Sequence, residues 1–155
     1  MKRILGISLL AFALFSLGYA GWLTWGKPGD FPETPLENKA GKDAVLVYFI
    51  HGRAKCPTCD QILAHTRSAL EESFPEETRN GELVLVPVDV EKPGNEHFMD
   101  DFGLFTTSVV LFARNPNGKE RWTNLSRAWE LAGNAAAFKS YFVDEVRRFL
   151  QENRT

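Results

Sequence analysis

The chain has 155 residues, 44% of them apolar and 25% charged, with 18 basic against 20 acidic side chains and a net charge of −2. That is enough chain for one ordinary globular domain with some left over, and the composition is not that of a disordered segment. The charge balance supplies no global positive field to hold nucleic acid, and two cysteines three positions apart do not make a stapled secreted mini-protein.

In chain order, Met1, Lys2 and Arg3 precede an uncharged run from Ile4 to Gly26. At 1.5 Å per residue such a run spans roughly 30 Å, the thickness of a hydrocarbon core, so residues 1–25 are expected to form an N-terminal transmembrane helix. A cleaved signal peptide is the rival reading, with Gly18-Tyr19-Ala20 as its small-x-small site. The apolar run continues past that site through Trp22, Leu23 and Trp25, and tryptophans at the end of a span fit the membrane–water interface. Either way Lys2 and Arg3 stay inside and the rest of the chain is exported. The expected location is a bacterial inner membrane, crossed once, with the domain facing the periplasm or cell exterior. Residues 26–43 carry Pro28, Pro32, Pro35 and three glycines without apolar periodicity. They are expected to be an extended, partly stiff linker, at most about 60 Å long. Residues 44–155 remain for the domain.

Residues 44–50 (AVLVYFI) are continuous, β-branched and aromatic, the pattern of a strand buried on both faces. His51 to Lys55 ends it and Cys56 follows. Pro57 suits the first turn of a helix, whose apolar positions are Ile62, Leu63, Thr66, Ala69, Leu70 and Phe74. Pro75 and Asn80-Gly81 break that pattern. Residues 83–90 (LVLVPVDV) predict a second buried strand, with Pro87 marking a bulge or an edge. A short helix is expected over 93–102, a third strand over 107–113, a turn at 115–118 and a short strand over 119–123 that closes a hairpin. Helices over 125–131 and 135–151 complete the chain. The apolar face of the second is Phe138, Phe142, Val146, Phe149 and Leu150.

A strand running into Cys-x-x-Cys at a helix start, inside a βαβ unit, is a redox motif with a mechanism. The unpaired N–H groups and positive dipole end of the helix, with Lys55 and Arg53 beside them, favour a thiolate at Cys56 and lower its pKa. Cys59 lies one turn further in, within reach, and is expected to be the buried partner of an exposed Cys56. Cys56 is then the attacking sulfur and Cys59 the resolving one.

The stretch from Val45 to the C-terminus resembles the thioredoxin-like superfamily. The residues that carry this are Val88-Asp89-Val90, Asp101-Phe102-Gly103-Leu104, Val109 to Phe112 and Asn117-Gly118, which follow its strand–helix–strand–hairpin half. More narrowly, His51-Gly52, Cys56-Pro57-Thr58-Cys59, Thr106 to Val110, Arg121-Trp122 and Trp129-Glu130-Leu131 resemble the ArsF-type nitroreductase-subunit family. The resemblance implies an α/β thioredoxin-like fold, a central mixed sheet flanked by helices. It also implies a thiol–disulfide oxidoreductase acting on protein thiols and disulfides or on a membrane redox partner. Thioredoxins place a cis-proline opposite the CxxC, where this chain has Ser108, and a buried carboxylate beneath the resolving sulfur, where it has Tyr48. A cis bond before a non-proline costs about 3–4 kcal/mol, so Thr107–Ser108 is expected to be trans. Lys55, Pro57, Thr107, Ser108 and His51 become candidates for substrate binding or tuning, and the carboxylate's place as proton acceptor falls to His51, to water or to nothing.

The blander readings stand beside these. A purely structural Cys56–Cys59 bond closes so small a loop that it contributes only about 2 kcal/mol. A closed zinc site needs four ligands, and His51, His65 and His97 are not at zinc-finger spacing from the two cysteines. His65 and His97 are expected to face solvent, and Trp122 and Trp129 to pack or to dock a partner. No phosphate loop, flavin or nicotinamide fingerprint is present, so no cofactor and no resident metal are expected. Two other functions fit the same residues: a dithiolate module for a soft ion such as copper(I) or arsenite, and an accessory subunit of a redox or resistance system.

Overall fold

A computed structural model of the chain describes residues 44–52, 56–114 and 119–153. The expected membrane span and linker, Arg53 to Lys55, and the turn at 115–118 lie outside the described residues. Among the described residues no helix is long and apolar enough to cross a membrane.

Among the described residues nine elements follow one another: β1 (Val45–His51), α1 (Pro57–Ser73), α2 (Pro75–Asn80), β2 (Leu83–Asp89), α3 (His97–Asp101), β3 (Ser108–Arg114), β4 (Glu120–Asn124), α4 (Ala128–Leu131) and α5 (Ala135–Asn153). The strands form one mixed sheet in the order β2-β1-β3-β4. β1 and β2 are parallel, from Val45 opposite Leu83 to His51 opposite Asp89, so the chain must cross over between them, and α1 makes the crossing. β3 runs antiparallel to β1, with Ile50 opposite Ser108, and β4 antiparallel to β3. The molecule is therefore α/β, a four-stranded mixed sheet flanked by helices.

β1 and β3 are the central strands, which is why their sequences lack polar alternation. Val45, Val47, Ile50, Val109, Val110 and Leu111 are all fully buried. Successive side chains on β1 point to opposite faces. On one face Tyr48 and Ile50 join Val88, Phe102, Leu104 and Val110. Their neighbours there, Phe98, Met99, Phe112 and Val86, are only partly buried, because α3 has just five residues to cover them. The other face takes the two long helices. α1 buries Ile62, Leu63, Thr66, Ala69 and Leu70, α5 buries Phe138, Phe142, Val146 and Phe149, and the two pack on each other.

Several expectations need correction. Pro75 does not simply end the helical pattern. It starts a second helix, α2, at the position where its missing N–H is harmless. The helix expected over 93–102 is confined to 97–101, since Lys92 to Asn95 form a turn closed by Asn95 N–H to Lys92 C=O, 3.0 Å. That expected over 125–131 begins only at Ala128, because Leu125 N–H is donated to Val109 C=O at 2.8 Å and extends the sheet contact instead. Of the two readings of Pro87, the edge holds and the bulge does not: it sits in an unbroken register opposite Phe49 on the edge strand β2, where the proline's lack of an N–H costs the ladder nothing. His65 does not face solvent. Its ring is half-buried against Phe138, centroids 5.4 Å apart, and its Nε2–H donates to Ala132 C=O at 3.1 Å. His97 is exposed, as expected, and pairs with Asp101 at 2.7 Å.

Candidate functional site: the Cys56–Cys59 pair

β1 ends at His51, and the chain re-enters regular structure at Cys56, in extended conformation (φ −135°, ψ 105°). This is the geometry of a helix N-cap. Pro57 takes the first helical position, and Asp60 N–H bonds to Cys56 C=O at 3.0 Å, the first bond of α1. The capping acceptor is the sulfur: Cys59 N–H points at Cys56 Sγ over 3.2 Å. One of the helix's orphan donors is thus spent on the sulfur expected to carry negative charge.

Cys56 and Cys59 are joined as a disulfide, with Cα atoms 5.1 Å apart. The expected contrast of an exposed Cys56 with a buried Cys59 is not found: both are half-buried, so burial does not separate their roles. Their partners differ. Cys56 Sγ receives the backbone N–H. Cys59 Sγ lies 3.4 Å from Thr107 Oγ1, on the loop that leads into β3. A disulfide sulfur has no proton, so in this state the Thr107 hydroxyl is the donor.

Thr107 is held in turn. Trp129 Nε1–H donates to its carbonyl over 2.6 Å from α4. Ser108 is buried and its hydroxyl donates to Thr106 C=O at 3.0 Å, so the hydroxyl that reaches the cysteines is that of Thr107. No peptide bond among the described residues is cis, Thr107–Ser108 included. A groove of about 190 Å³ opens here, with Ile62, Phe105, Thr106, Leu125 and Trp129 in its walls. Phe105 is 96% exposed on its rim.

The remaining candidates are placed as follows. His51 ends β1 with its ring against Phe49 at 5.3 Å and its Nδ1–H on Gly52 C=O at 3.0 Å, a local arrangement directed at its own strand end. Pro57 is exposed at the helix start, and Lys55 lies outside the described residues. Tyr48 is buried among Phe98, Phe102 and Phe112, centroids 5.2 to 6.0 Å away, in the aromatic layer against α3. Trp122 is 44% exposed with its ring edge-on to Phe102. Among the described residues no three His, Cys, Asp or Glu gather as a metal site. The link from Trp129 to Thr107 escaped the sequence reading. The two residues are 22 apart, and neither is distinctive by type.

No protein-family model, curated protein or solved structure matches this chain.

Proposed function

We propose that this protein is a thiol–disulfide oxidoreductase of the thioredoxin-like kind, held at a membrane by residues 1–25 with its domain outside the cytoplasm. The observation that carries the reading is the Cys56–Cys59 disulfide at the N-terminus of the β1–β2 crossover helix, with a separate donor on each sulfur. The sheet order β2-β1-β3-β4 supports the fold assignment, and Lys2 and Arg3 ahead of the uncharged run support the orientation.

In the reduced protein, the Cys56 thiolate attacks a partner disulfide. A Cys56–partner bond forms, the partner's S–S bond breaks, and its far sulfur leaves as a thiolate. Cys59 then attacks Cys56 Sγ, closing the pair and releasing the partner's second thiol. Reversed, the same steps oxidise a partner dithiol. Cys59 N–H stabilises charge on Cys56 at each stage where that sulfur is free.

The test is trapping in cells with the full-length chain. Cys59→Ser should accumulate mixed disulfides with exported proteins or with a membrane partner, and Cys56→Ser should not. Equal trapping by both would overturn the assignment of the sulfurs, and none by either would overturn the exchange activity. Adducts confined to cytoplasmic proteins would overturn the location.

A further inference from the structure

We propose that Trp129 is a positioning residue for the redox pair: its indole N–H fixes Thr107 so that the Thr107 hydroxyl donates to Cys59 Sγ and stabilises that sulfur as it leaves. The proposal rests on the thiol–disulfide reading and adds a residue to it. Its basis is a closed circuit of contacts. Cys59 Sγ meets Thr107 Oγ1 at 3.4 Å, Thr107 C=O accepts from Trp129 Nε1 at 2.6 Å, and Ala132, just past α4, accepts from His65 of α1 at 3.1 Å. α1 carries Cys59 as well as His65, so the circuit returns to its start. The short helix α4 is fixed independently, with Ala128 and Leu125 both buried and Leu125 N–H on Val109 C=O at 2.8 Å. Trp129 therefore reaches Thr107 from a rigid base. Thr107 itself lies one residue before β3 begins, where it has no place in the strand ladder.

The chemistry follows from the donor assignment. When a thiolate attacks Cys56 Sγ, a new S–S bond forms, the Cys56–Cys59 bond breaks, and its electron pair goes to Cys59 Sγ. The charge develops on the atom to which the Thr107 O–H already points, and the proton stays on Thr107. A leaving thiolate that is stabilised leaves faster. Trp129 touches neither sulfur in this account. Its effect passes wholly through Thr107.

That dependence gives the test. The full-length oxidised chain is opened with dithiothreitol, a small dithiol that needs no protein docking, and the second-order rate constant is measured for wild type, Trp129→Phe, Thr107→Val and the double variant. Loss of one hydrogen bond predicts opening about three- to tenfold slower in Thr107→Val, and a comparable or smaller slowing in Trp129→Phe. Trp129→Phe should add nothing once Thr107 is valine. In a Cys56→Ser background, the ultraviolet thiolate absorbance of Cys59 should titrate at higher pH in either variant than in the parent. Should Trp129→Phe fail to fold by circular dichroism, benzothienylalanine at position 129 keeps the ring shape without the N–H and must show the same slowing. An unchanged rate in Trp129→Phe or its isostere, or an equal slowing with and without the Thr107 hydroxyl, overturns the proposal. Because dithiothreitol replaces the protein partner, this outcome is independent of whether mixed disulfides are trapped in cells.

Discussion

The two ends of α1 differ in what they offer chemistry. The far end, where α1 meets α2 and the edge strand β2, opens on a groove of about 620 Å³ lined by Arg67, Glu71, Arg79, Leu83 and Leu85. The near end has a groove of about 190 Å³ and the two sulfurs. The larger space holds the poorer site. Its side chains are ordinary solvated charges and strand residues, and Arg79 is paired with Glu76 at 2.9 Å. A helix is also polar along its axis. The N–H groups at its start stabilise an anion, whereas its last turn presents carbonyls. Only at the start can a backbone N–H meet Cys56 Sγ.

This contrast predicts that the far end matters for stability and the near end for exchange. The largest expected effect is from Phe74→Ala. Phe74 is 3% exposed where α1 hands over to α2, and removing its ring should cost about 3–5 kcal/mol in a urea titration. The dithiothreitol opening rate of the folded fraction should be unchanged; a large fall would show that the two ends are coupled. A smaller effect separates the two jobs of Cys56. In the reduced protein, serine at 56 keeps a capping acceptor and alanine does not, so Cys56→Ala should be less stable than Cys56→Ser by about 1 kcal/mol. Both should abolish exchange. Equal stability would mean that the sulfur is not acting as a cap.

The smallest effect belongs to Glu72, in the last turns of α1. Its carboxylate accepts from Lys139 Nζ at 2.6 Å and from the Ser68 hydroxyl, and these bonds hold its pKa below the ordinary value. Between the unfolded and folded values the unfolded chain binds more protons. The contribution is therefore present above the ordinary carboxylate range and is lost as pH falls through the depressed folded value. The side chain is exposed, so screening keeps the contribution small. Melting temperature followed against pH should fall less steeply below that range in Glu72→Gln, with exchange unaffected. Identical acid limbs would show that the pair adds nothing.

Local pattern alone made the sheet and the long helices legible. Residues 44–50 and 107–113 have no polar alternation, and they are the two central strands, each displaced by one residue from its observed bounds. The period of Phe138, Phe142, Val146 and Phe149 marks the buried face of α5. Short elements were harder to place. α3 and α4 have five and four residues, too few for a period to show, and their limits depend on bonds to distant strands.

At the site the division has the same origin. The sequence by itself determined that two cysteines are spaced to meet across one helical turn, behind a buried strand and ahead of Pro57, because those relations are local and geometric. It also determined that position 108 cannot offer a proline ring. Tertiary structure alone decided which groups surround the sulfurs. The Thr107 hydroxyl reaches Cys59 across 48 residues of chain, Trp129 reaches Thr107 across 22, and His65 ties α1 to the end of α4 across 67. Such contacts depend on how β1, β3 and the helices pack, and no local propensity encodes them. For the same reason His51, close to the motif in sequence, is turned to its own strand end, while a threonine from the loop before β3 and a tryptophan from α4 complete the site.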